Sequence, residues 1–331
     1  MQKDFQLEQN FYDKPFYFSY SGLNKLLYSP RAFYAHYILN QREDKTDQHL
    51  IDGSLLHCLL LEEEKFDEKF IISPLALPGE STKKVIDKVF IRSYITGNLS
   101  LPLTELSFDI LEVLKEINLH QSLKTDEQRI AKIVDEGSSS YYDFLLNKGS
   151  KSVIDVETLE RIKLSVEEVR SNKSISDLLG IGSPNSFSEV LVQIDPGNLI
   201  GPLPYTFGIR GAVDNIRIDH DNKTIYINDL KTSGKLLQDF NETVDYYKYW
   251  LQAAVYVQLV QAKYPDLIGY KINFHFIVID KMMQCYAFPV SNDTLAKWTM
   301  QMWDVLEAAH YHYTSKEYDL PYDFKKGLIT L

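Results

Sequence analysis

Two neighbouring segments constrain the fold of this 331-residue chain more than any other feature. Apolar and polar side chains alternate, imperfectly, towards the end of residues 205–218, and residues 223–231 are rich in β-branched and aromatic residues. The polar residues 219–222 between them are typical of a turn. The two segments therefore predict an antiparallel β-hairpin.

This hairpin brings together two carboxylates and a lysine. The middle of its first strand faces the end of its second, so Asp214 and Asp229 can converge although they are distant in sequence. Lys231 lies two residues beyond Asp229 and hence on the same face of the strand. Two close carboxylates repel each other unless a cation lies between them, and oxygen ligands suit Mg²⁺ or Mn²⁺.

A metal and a lysine in this arrangement are suited to phosphodiester hydrolysis. The ammonium of Lys231 could orient or help to deprotonate the attacking water. The metal would lower the pKa of that water and neutralise the charge that develops on the phosphate.

The short acid-any-lysine triplet is a weak indication by itself, because it recurs at residues 43–45, 63–65, 67–69 and 221–223. Those copies are interpreted as solvated charges. The triplet that ends at Lys231 differs in its context, since a second acid lies on the partner strand and a helix follows. On that helix Gln252 and Tyr256 are four residues apart and share a face. Gln252 could bond the lysine or a phosphate, and Tyr256 could do the same or stack on a nucleotide.

Composition narrows the class of protein. A hydrophobic content of 44% suffices for a real core, and the length allows one large domain or two. The start of the chain lacks the features of a signal peptide and no apolar run could span a bilayer, so we expect a cytoplasmic protein. Two distant cysteines, Cys58 and Cys285, cannot form a thiolate zinc site or hold an iron-sulfur cluster unaided.

The net charge of −11 argues against a protein that coats nucleic acid by charge alone. It does not exclude a nuclease, because screening confines surface fields to about 10 Å and a local basic lining can act with the bound metal. The candidate basic residues are Lys25, Arg31, Lys83, Lys84, Lys88, Arg92 and Arg210, each of which could equally be an ordinary solvated side chain.

The first half of the chain is predicted to be mainly helical. Residues 18–39 indicate two short helices, the first capped by Ser19 or Ser21 and the second opened by Pro30. A third helix begins near Asp52 and carries His57.

Residues 73–150 indicate mixed helical stretches with a polar break at residues 137–140. Asp155 is the expected N-cap of an amphipathic packing helix. Beyond Pro184 the pattern becomes one of strands. Besides the hairpin, the expected strands are residues 188–193, 270–280 and 284–290, and the expected helices are residues 242–262 and 294–312.

Five ordered motifs resemble the PD-(D/E)XK nuclease superfamily. Within it they resemble the branch that includes the RecB and AddB nuclease domains, the CRISPR-associated iron-sulfur nucleases and phage exonuclease VIII of the RecE type. The motifs are a serine-rich opening over residues 19–34, a Gly-to-His helix over 53–62, Val213-Asp214, Asp229-Leu230-Lys231 and a Gln-to-Tyr helix over 252–256. Residues 53–74 and the helix at 153–179 look most like the exonuclease VIII subgroup of phages and prophages.

The resemblance implies an α/β (α+β mixed) fold with a central mixed sheet flanked by helices, Mg²⁺ dependence and duplex DNA as substrate. We expect a single nuclease domain over residues 1–331. Its parts would be an N-terminal helical part at 18–72 carrying His57, a mainly helical insertion at 73–180, and the catalytic sheet with flanking helices at 185–312.

Two departures from the family pattern narrow the assignment. The iron-sulfur members place cysteines around the core, where this chain has Tyr28-Ser29-Pro30 and no carboxy-terminal cysteine set, so no cluster is expected. Val213 stands at the proline position, a change that the superfamily tolerates.

The resemblance also assigns roles to individual residues. Asp214 and Asp229 would bind the metal together with the Leu230 carbonyl, and His57 would be a further ligand or contact a water on the metal. Glu189, on the preceding strand, could add a carboxylate or face solvent. Asp214, Asp229, Lys231, Gln252 and Tyr256 form the expected catalytic set, and Arg210 and Thr232 could touch DNA phosphates.

The expected function is that of a Mg²⁺-dependent exonuclease (Mn²⁺ being possible) that digests linear duplex DNA for phage-type recombination or DNA processing. An endonuclease or a CRISPR-associated-type end trimmer on the same core is one alternative. A catalytically silent DNA-binding recombination protein is another. An annealing protein as partner and a ring-like homo-oligomer are compatible with the resemblance, as is the host cytoplasm for a phage-encoded chain.

Overall fold

The computed structural model describes residues 2–41 and 48–327, which form strands and helices joined by loops. The strands are β1 (Tyr17–Phe18), β2 (Phe70–Ile72), β3 (Ser152–Ile154), β4 (Ser186–Ile194), β5 (Gly208–Asp219), β6 (Thr224–Thr232), β7 (Lys271–Ile279) and β8 (Cys285–Val290). The α-helices are α1 (Gln2–Tyr12), α2 (Tyr20–Tyr28), α3 (Pro30–Phe33), α4 (Gln48–Leu61), α5 (Phe66–Lys69), α6 (Glu80–Thr96), α7 (Ser107–Glu116), α8 (Asp126–Ala131), α9 (Glu136–Lys148), α10 (Val156–Ser171), α11 (Lys173–Leu179), α12 (Phe240–Tyr247), α13 (Tyr249–Lys263), α14 (Asn292–Ser315) and α15 (Tyr322–Lys325).

The chain folds into two units. The first comprises the described residues of 1–47, 60–62 and 165–331, and the second comprises residues 48–59 and 63–164. Helix α4 therefore contributes its first twelve residues to the second unit and its end to the first. The domain boundaries expected from the sequence stay a prediction.

A six-stranded mixed sheet forms the centre of the first unit. Strand β5 pairs antiparallel with β4 on one edge and with β6 on the other, while β6 runs parallel to β7 and β7 antiparallel to β8. The short β1 adds a parallel pairing at the start of β5. This is the mixed α/β fold with a central sheet flanked by helices that was expected.

The predicted β5–β6 hairpin is confirmed, with Asp219 paired to Thr224 next to the turn. Within the turn the Asp219 carboxylate accepts the backbone N–H of Asn222 at 2.9 Å, the local bonding that makes aspartate favourable there. The β5–β6 pairing continues without a break from Asp219–Thr224 to Asn215–Asn228. This register therefore fixes which residues of the two strands lie beside each other at the end away from the turn.

The core of the first unit lies between the sheet and helices α2, α13 and α14. Helix α13 is nearly all apolar, and eight of its residues belong to this core. Burial of this kind stabilises by about 25 cal/mol per Å² of apolar surface, so α13 is anchored by packing on its whole circumference. It is thus a rigid platform for any polar side chain that it carries.

The second unit has its own core and a small sheet. Strands β2 and β3 pair in parallel, and helices α6, α7 and α9 enclose a separate cluster around the fully buried Tyr142. The two-stranded sheet has no counterpart among the sequence expectations.

Three predicted helix starts in the first half of the chain are confirmed, whereas the helix expected to begin near Asp52 already includes Gln48. Ser19 caps α2, accepting the N–H of Gly22, and Pro30 occupies the first turn of α3. The Asp155 carboxylate accepts the N–H of Thr158 at 2.6 Å at the start of α10.

Three expectations of secondary structure are wrong. The helix expected at residues 153–179 begins only at Val156, after strand β3, and is divided at Asn172 into α10 and α11. The polar break expected at residues 137–140 lies inside α9, because Asp135 caps that helix by accepting the N–H of Ser138 and so stabilises its polar first turn. The continuous helix expected over residues 242–262 is two helices, α12 and α13, separated at Lys248 in the left-handed conformation. Among the described residues no helix is long and apolar enough to cross a membrane.

Candidate active site

The central sheet forks between β5 and β6 at the position of the two predicted acids. The last pair of the β5–β6 ladder is Asn215–Asn228, so Asp214 and Asp229 are the first residues beyond it. Beyond this pair, β6 stays paired with β7. The edge of β5 that faced β6 pairs instead with β1, at residues Gly208 and Ile209. We call this point, where Asp214 and Asp229 face each other, the fork.

The Asp214 side chain bridges the fork. Asp214 is buried, with 6% of its surface exposed, and its Oδ2 accepts the backbone N–H of Leu230 at 2.8 Å. A buried N–H needs a partner, and beyond the fork the strand β5 no longer supplies one. The carboxylate therefore takes the place of a ladder bond and is held in a fixed orientation.

Two donors, a side-chain amide and a lysine ammonium, contact the two carboxylate oxygens of Asp229. Its Oδ1 accepts the Nε2–H of Gln252 at 2.8 Å, and its Oδ2 lies 2.6 Å from the Nζ of Lys231. Asp229 is fully buried, and a charge is stable there only if it is paired and hydrogen-bonded.

The Lys231 ammonium lies between Asp229 and an aromatic ring. Its Nζ is 4.7 Å from the centre of the Tyr249 ring. Burial alone would lower the pKa of Lys231, but the negative charges of Asp229 and Asp214 outweigh it and raise that pKa above its ordinary value. In this arrangement Lys231 is a positive charge and a hydrogen-bond donor rather than a base.

Glu189 adds a third carboxylate at the fork. The β4–β5 register places it opposite Asp214, on the edge of β5 away from β6. One carboxylate oxygen of Glu189 and one of Asp214 lie within 4.8 Å of each other. From the sequence, Glu189 could either join the two acids or face solvent. In the structure its carboxylate lies beside that of Asp214.

The backbone of Glu189 is strained. Its φ of +47° is in the left-handed region, which glutamate seldom adopts, in the middle of a strand. A strained conformation of this kind costs on the order of 1–3 kcal/mol and persists only where the surrounding structure holds the backbone in it. The conformation therefore points to a functional position.

Helix α13 presents Gln252 and Tyr256 to the fork. Both are 7% exposed, and the Nε2 of Gln252 also lies 3.0 Å from the Tyr256 hydroxyl. Burial raises the pKa of Tyr256 well above its ordinary value, and the charges of Asp214, Asp229 and Glu189 raise it further. Tyr256 is thus a neutral phenol among three carboxylates.

A missing side chain on β5 lets α13 approach this closely. A Cβ atom at Gly211 would lie 3.0 Å from both Tyr256 Cε1 and Leu259 Cδ1. Such a contact is tighter than side chains normally tolerate, so glycine sets the distance between the strand and Tyr256.

The donor set fits a hard divalent cation. Glu189, Asp214 and Asp229 supply carboxylate oxygens, with one oxygen of Glu189 within 4.8 Å of one of Asp214, and Lys231 lies 2.6 Å from Asp229. Backbone carbonyls such as that of Leu230 are ligands of the same hard class. The arrangement therefore suits Mg²⁺ or Mn²⁺ better than a thiolate-binding metal.

The remaining predicted residues lie in different places. His57 is half-buried on α4, in the second unit, and its role stays a prediction. Arg210 is exposed on β5, four residues before Asp214, and Thr232 is exposed as the last residue of β6. Their proposed contacts to DNA also stay predictions.

Two tyrosines near the site were not predicted. Tyr249 contacts Lys231, and burial raises the pKa of Tyr20 on α2, which the neighbouring charges of Tyr249 and Asp229 raise further. A signal for Tyr249 was present, because it precedes Gln252 by three residues and so lies on the same helical face. Tyr20 reaches the site only through the fold.

A comparison with models of protein families agrees with this geometry. A model of the PD-(D/E)XK nuclease superfamily matches residues 118–314, more than half of the chain. A solved structure of a protein from Eubacterium rectale, described only provisionally as an exonuclease, has 12% sequence identity and a TM-score of 0.46. That match covers 95% of this chain and 89% of the other. None of the curated proteins matches the sequence.

Proposed function

Because the chain belongs to the PD-(D/E)XK nuclease superfamily, we propose that it is a Mg²⁺-dependent exodeoxyribonuclease of the RecE type that digests linear duplex DNA from its ends. The observation that supports this most is the fork, where the buried Asp214 accepts the N–H of Leu230 and the buried Asp229 pairs with the largely buried Lys231. A buried ion pair adds little or nothing to stability. A protein that only binds DNA would gain nothing from this arrangement.

The metal would be held by Asp214, Asp229, the Leu230 carbonyl and Glu189, with His57 as a further ligand or as a contact to a water. A divalent cation supplies Lewis-acid stabilisation of the phosphate and makes a nearby water more acidic. Mg²⁺ is the expected ion and Mn²⁺ a substitute, since the proposed ligands are mainly oxygen atoms. No iron-sulfur cluster is part of the proposal.

The side chains around the metal would position the reactants. Lys231 donates hydrogen bonds to the attacking water or to a phosphate oxygen and stabilises the negative charge that develops there. Gln252 fixes the Asp229 carboxylate, and the neutral Tyr256 hydroxyl can donate to a phosphate oxygen. Hydrolysis is direct, without a covalent intermediate.

The proposed setting is phage-type recombination or DNA processing. Digestion of one strand would expose a single strand for an annealing protein, in the cytoplasm of a host cell if the chain is phage-encoded. Arg210 and Thr232, both exposed, would contact DNA phosphates near the fork. A ring-like homo-oligomer would keep such an enzyme on its substrate.

A cleavage assay with matched variants tests the proposal. End-labelled linear duplex and closed circular DNA are incubated with the wild type, with Asp229→Asn, and with Asp266→Asn as control for loss of an exposed acid. Mg²⁺, Mn²⁺, Ca²⁺ and EDTA are compared. Folding of each variant is checked by circular dichroism and thermal melting.

We expect the wild type and Asp266→Asn to release nucleotides from linear DNA with Mg²⁺ or Mn²⁺ and to leave circular DNA intact. Asp229→Asn should lose at least about a thousandfold in rate, since one ligand and the partner of Lys231 are gone. Cleavage of circular DNA would instead indicate an endonuclease. Binding without cleavage under every condition would indicate a silent DNA-binding protein and would end the enzyme proposal.

A further inference from the structure

Exposed tyrosines lie at the junction of α12 and α13. Tyr246 is 75% and Tyr247 is 50% exposed, and their rings meet edge to face with centroids 4.9 Å apart. Together with the half-buried Tyr249 we call them the tyrosine step. Adjacent exposed rings on a folded surface indicate a contact with something outside the chain rather than core packing.

The backbone beneath the tyrosine step is fixed. Lys248 adopts a φ of +57° between the two helices and donates its N–H to the carbonyl of Asp245 at 3.2 Å. The carbonyl of Tyr247 accepts hydrogen bonds from the Tyr20 hydroxyl and, at 3.3 Å, from the side-chain amide of Asn24. Helix α2 therefore holds the junction, and the rings project from a defined position.

The tyrosine step is continuous with the fork. The Tyr247 ring stacks on that of Tyr249 with centroids 5.5 Å apart and an interplanar angle of 21°. Tyr249 in turn covers the Lys231 ammonium at 4.7 Å, and Lys231 lies 2.6 Å from Asp229. A connected path thus leads from a proposed metal ligand to exposed aromatic surface.

The charged side chains near the tyrosine step are of both signs. Glu242 and Asp245 are exposed on α12, and Lys235 is engaged by Glu242 at 3.2 Å. Lys248, between Tyr247 and Tyr249, adds a positive charge, so this surface is distinguished by its exposed aromatic rings rather than by the sign of its charge. The chemistry therefore favours a flat, aromatic group.

We propose that the tyrosine step stacks against an unpaired nucleobase of the strand being cut, next to the phosphate that is bound at the fork. This inference rests on the proposed nuclease activity. In a duplex both faces of an internal base are covered by its neighbours, so the base that meets Tyr247 must lie at a strand end, where an unpaired base is free to stack. Stacking is independent of base identity, which suits an enzyme that digests any sequence.

The test measures DNA binding separately from cleavage. The probe is a duplex with a short unpaired end that carries 2-aminopurine, whose fluorescence falls on stacking, and Ca²⁺ replaces Mg²⁺. Tyr247→Ala, Tyr247→Phe and Tyr246→Ala are compared with the wild type. Tyr28→Ala is the control, because Tyr28 is 83% exposed and lies eight residues beyond Tyr20 on α2, roughly 12 Å along the helix.

We expect Tyr247→Ala to weaken binding about 5- to 150-fold and to lose the fluorescence change, and Tyr247→Phe and Tyr28→Ala to stay within about twofold of the wild type. In Mg²⁺, Tyr247→Ala should raise KM by a similar factor with kcat little changed, as expected for a contact away from the reacting atoms.

Three results would overturn the proposal. One is a Tyr247→Ala variant with wild-type affinity and fluorescence, and another is a Tyr247→Phe variant as weak as Tyr247→Ala. The third is unchanged DNA binding with a smaller oligomer in sedimentation, which would mean that the rings pack against a second copy of the chain. If the wild type binds the probe with quenching but cleaves nothing, the proposed function fails while the stacking contact stands.

Discussion

Gln252 on α13 donates its Nε2–H to Asp229 at 2.8 Å, on the side of the carboxylate opposite to the Lys231 ammonium. A helix that is anchored in the core thereby sets the rotation of a carboxylate on a strand. Second partners of this kind keep a ligand aimed at its metal, and their loss typically reduces affinity or activity 10- to 100-fold. The placement gives Gln252 a positioning role in addition to the phosphate contact expected from the sequence.

We predict that Gln252→Leu lowers the cleavage rate about 10- to 100-fold, weakens Mn²⁺ binding and lowers the unfolding free energy by about 1–3 kcal/mol, because the buried Asp229 Oδ1 loses its donor. The Oε1 of Gln252 is buried without a hydrogen-bond partner among the described residues, so leucine removes an unsatisfied group along with the useful donor. The rate, the metal affinity and the free energy of unfolding are measured. Gln258→Leu is the control, because Gln258 is half-buried on the same helix and, among the described residues, its side chain bonds only Gln261, at 3.5 Å. Equal cleavage rates for the two variants would mean that Gln252 does not position Asp229 for the reaction.

A second prediction concerns the trade between stability and metal binding at Glu189. Glu189→Gln removes a charge that repels Asp214, and Glu189→Asn also places in the left-handed region a residue that tolerates it. Both variants should melt at higher temperature than the wild type in EDTA, with Asn gaining about 1 kcal/mol more than Gln. In Mg²⁺ the stabilisation by metal should shrink in both.

Thermal melting in EDTA and in Mg²⁺ checks this prediction. Glu167→Gln, an exposed acid on α10, serves as the control and should change neither value. If Glu189→Gln keeps the full stabilisation by Mg²⁺, the carboxylate is not a ligand. Lower stability in EDTA would mean that Glu189 serves the fold instead.

The arrangement of Asp214 and Asp229 could be predicted because a strand repeats every two residues. Once the hairpin and its turn are recognised, the register places the two acids opposite each other and puts Lys231 on the face of Asp229. Nothing beyond local pattern and turn chemistry is needed. The helix caps at Ser19 and Asp155 were predictable for the same local reason.

What the pattern missed depends on tertiary structure. The left-handed conformations of Glu189 and Lys248 carry no glycine or asparagine signal in the sequence. The Tyr247 carbonyl at the helix break is held by Tyr20, more than two hundred residues away. Contacts at that separation cannot be inferred from periodicity.

A third prediction tests the close approach of α13 to β5. Gly211→Ala places a methyl group 3.0 Å from Tyr256 Cε1, so the ring must move by a few tenths of an ångström or the helix must shift. We expect a loss of about 1–3 kcal/mol in unfolding free energy, as in overpacked cores. Activity should fall further than stability explains, because Tyr256 faces the three carboxylates.

Gly234→Ala is the matched control, since a Cβ there meets no atom within 4 Å. Denaturant unfolding and the cleavage rate are measured for both variants at a temperature where both are fully folded. A Gly211→Ala protein with the stability and rate of Gly234→Ala would mean that α13 has room to move at this point.

The last prediction concerns acid stability and a histidine in β7. Burial lowers the pKa of His275 from its ordinary 6.5 to about 4, and its Nδ1 is buried without a hydrogen-bond partner among the described residues. The unfolded chain takes up a proton near pH 6.5 whereas the folded chain does so only near pH 4. Titration of His275 therefore does not affect the unfolding free energy above about pH 6.5. As the pH falls from 6.5 to 4, it lowers the unfolding free energy progressively, by at most about 3 kcal/mol.

The variant His275→Phe removes this titration and keeps a ring on the face of Tyr226, with which His275 stacks at 6.1 Å. The free energy of unfolding of both proteins is measured by urea denaturation between pH 4 and pH 8. We expect the variant to gain stability relative to the wild type as the pH falls, because it is spared the protonation that favours the unfolded wild type. The difference should be constant above pH 7. A difference that does not vary between pH 4 and pH 7 would mean that His275 takes up its proton equally in the folded and unfolded chains.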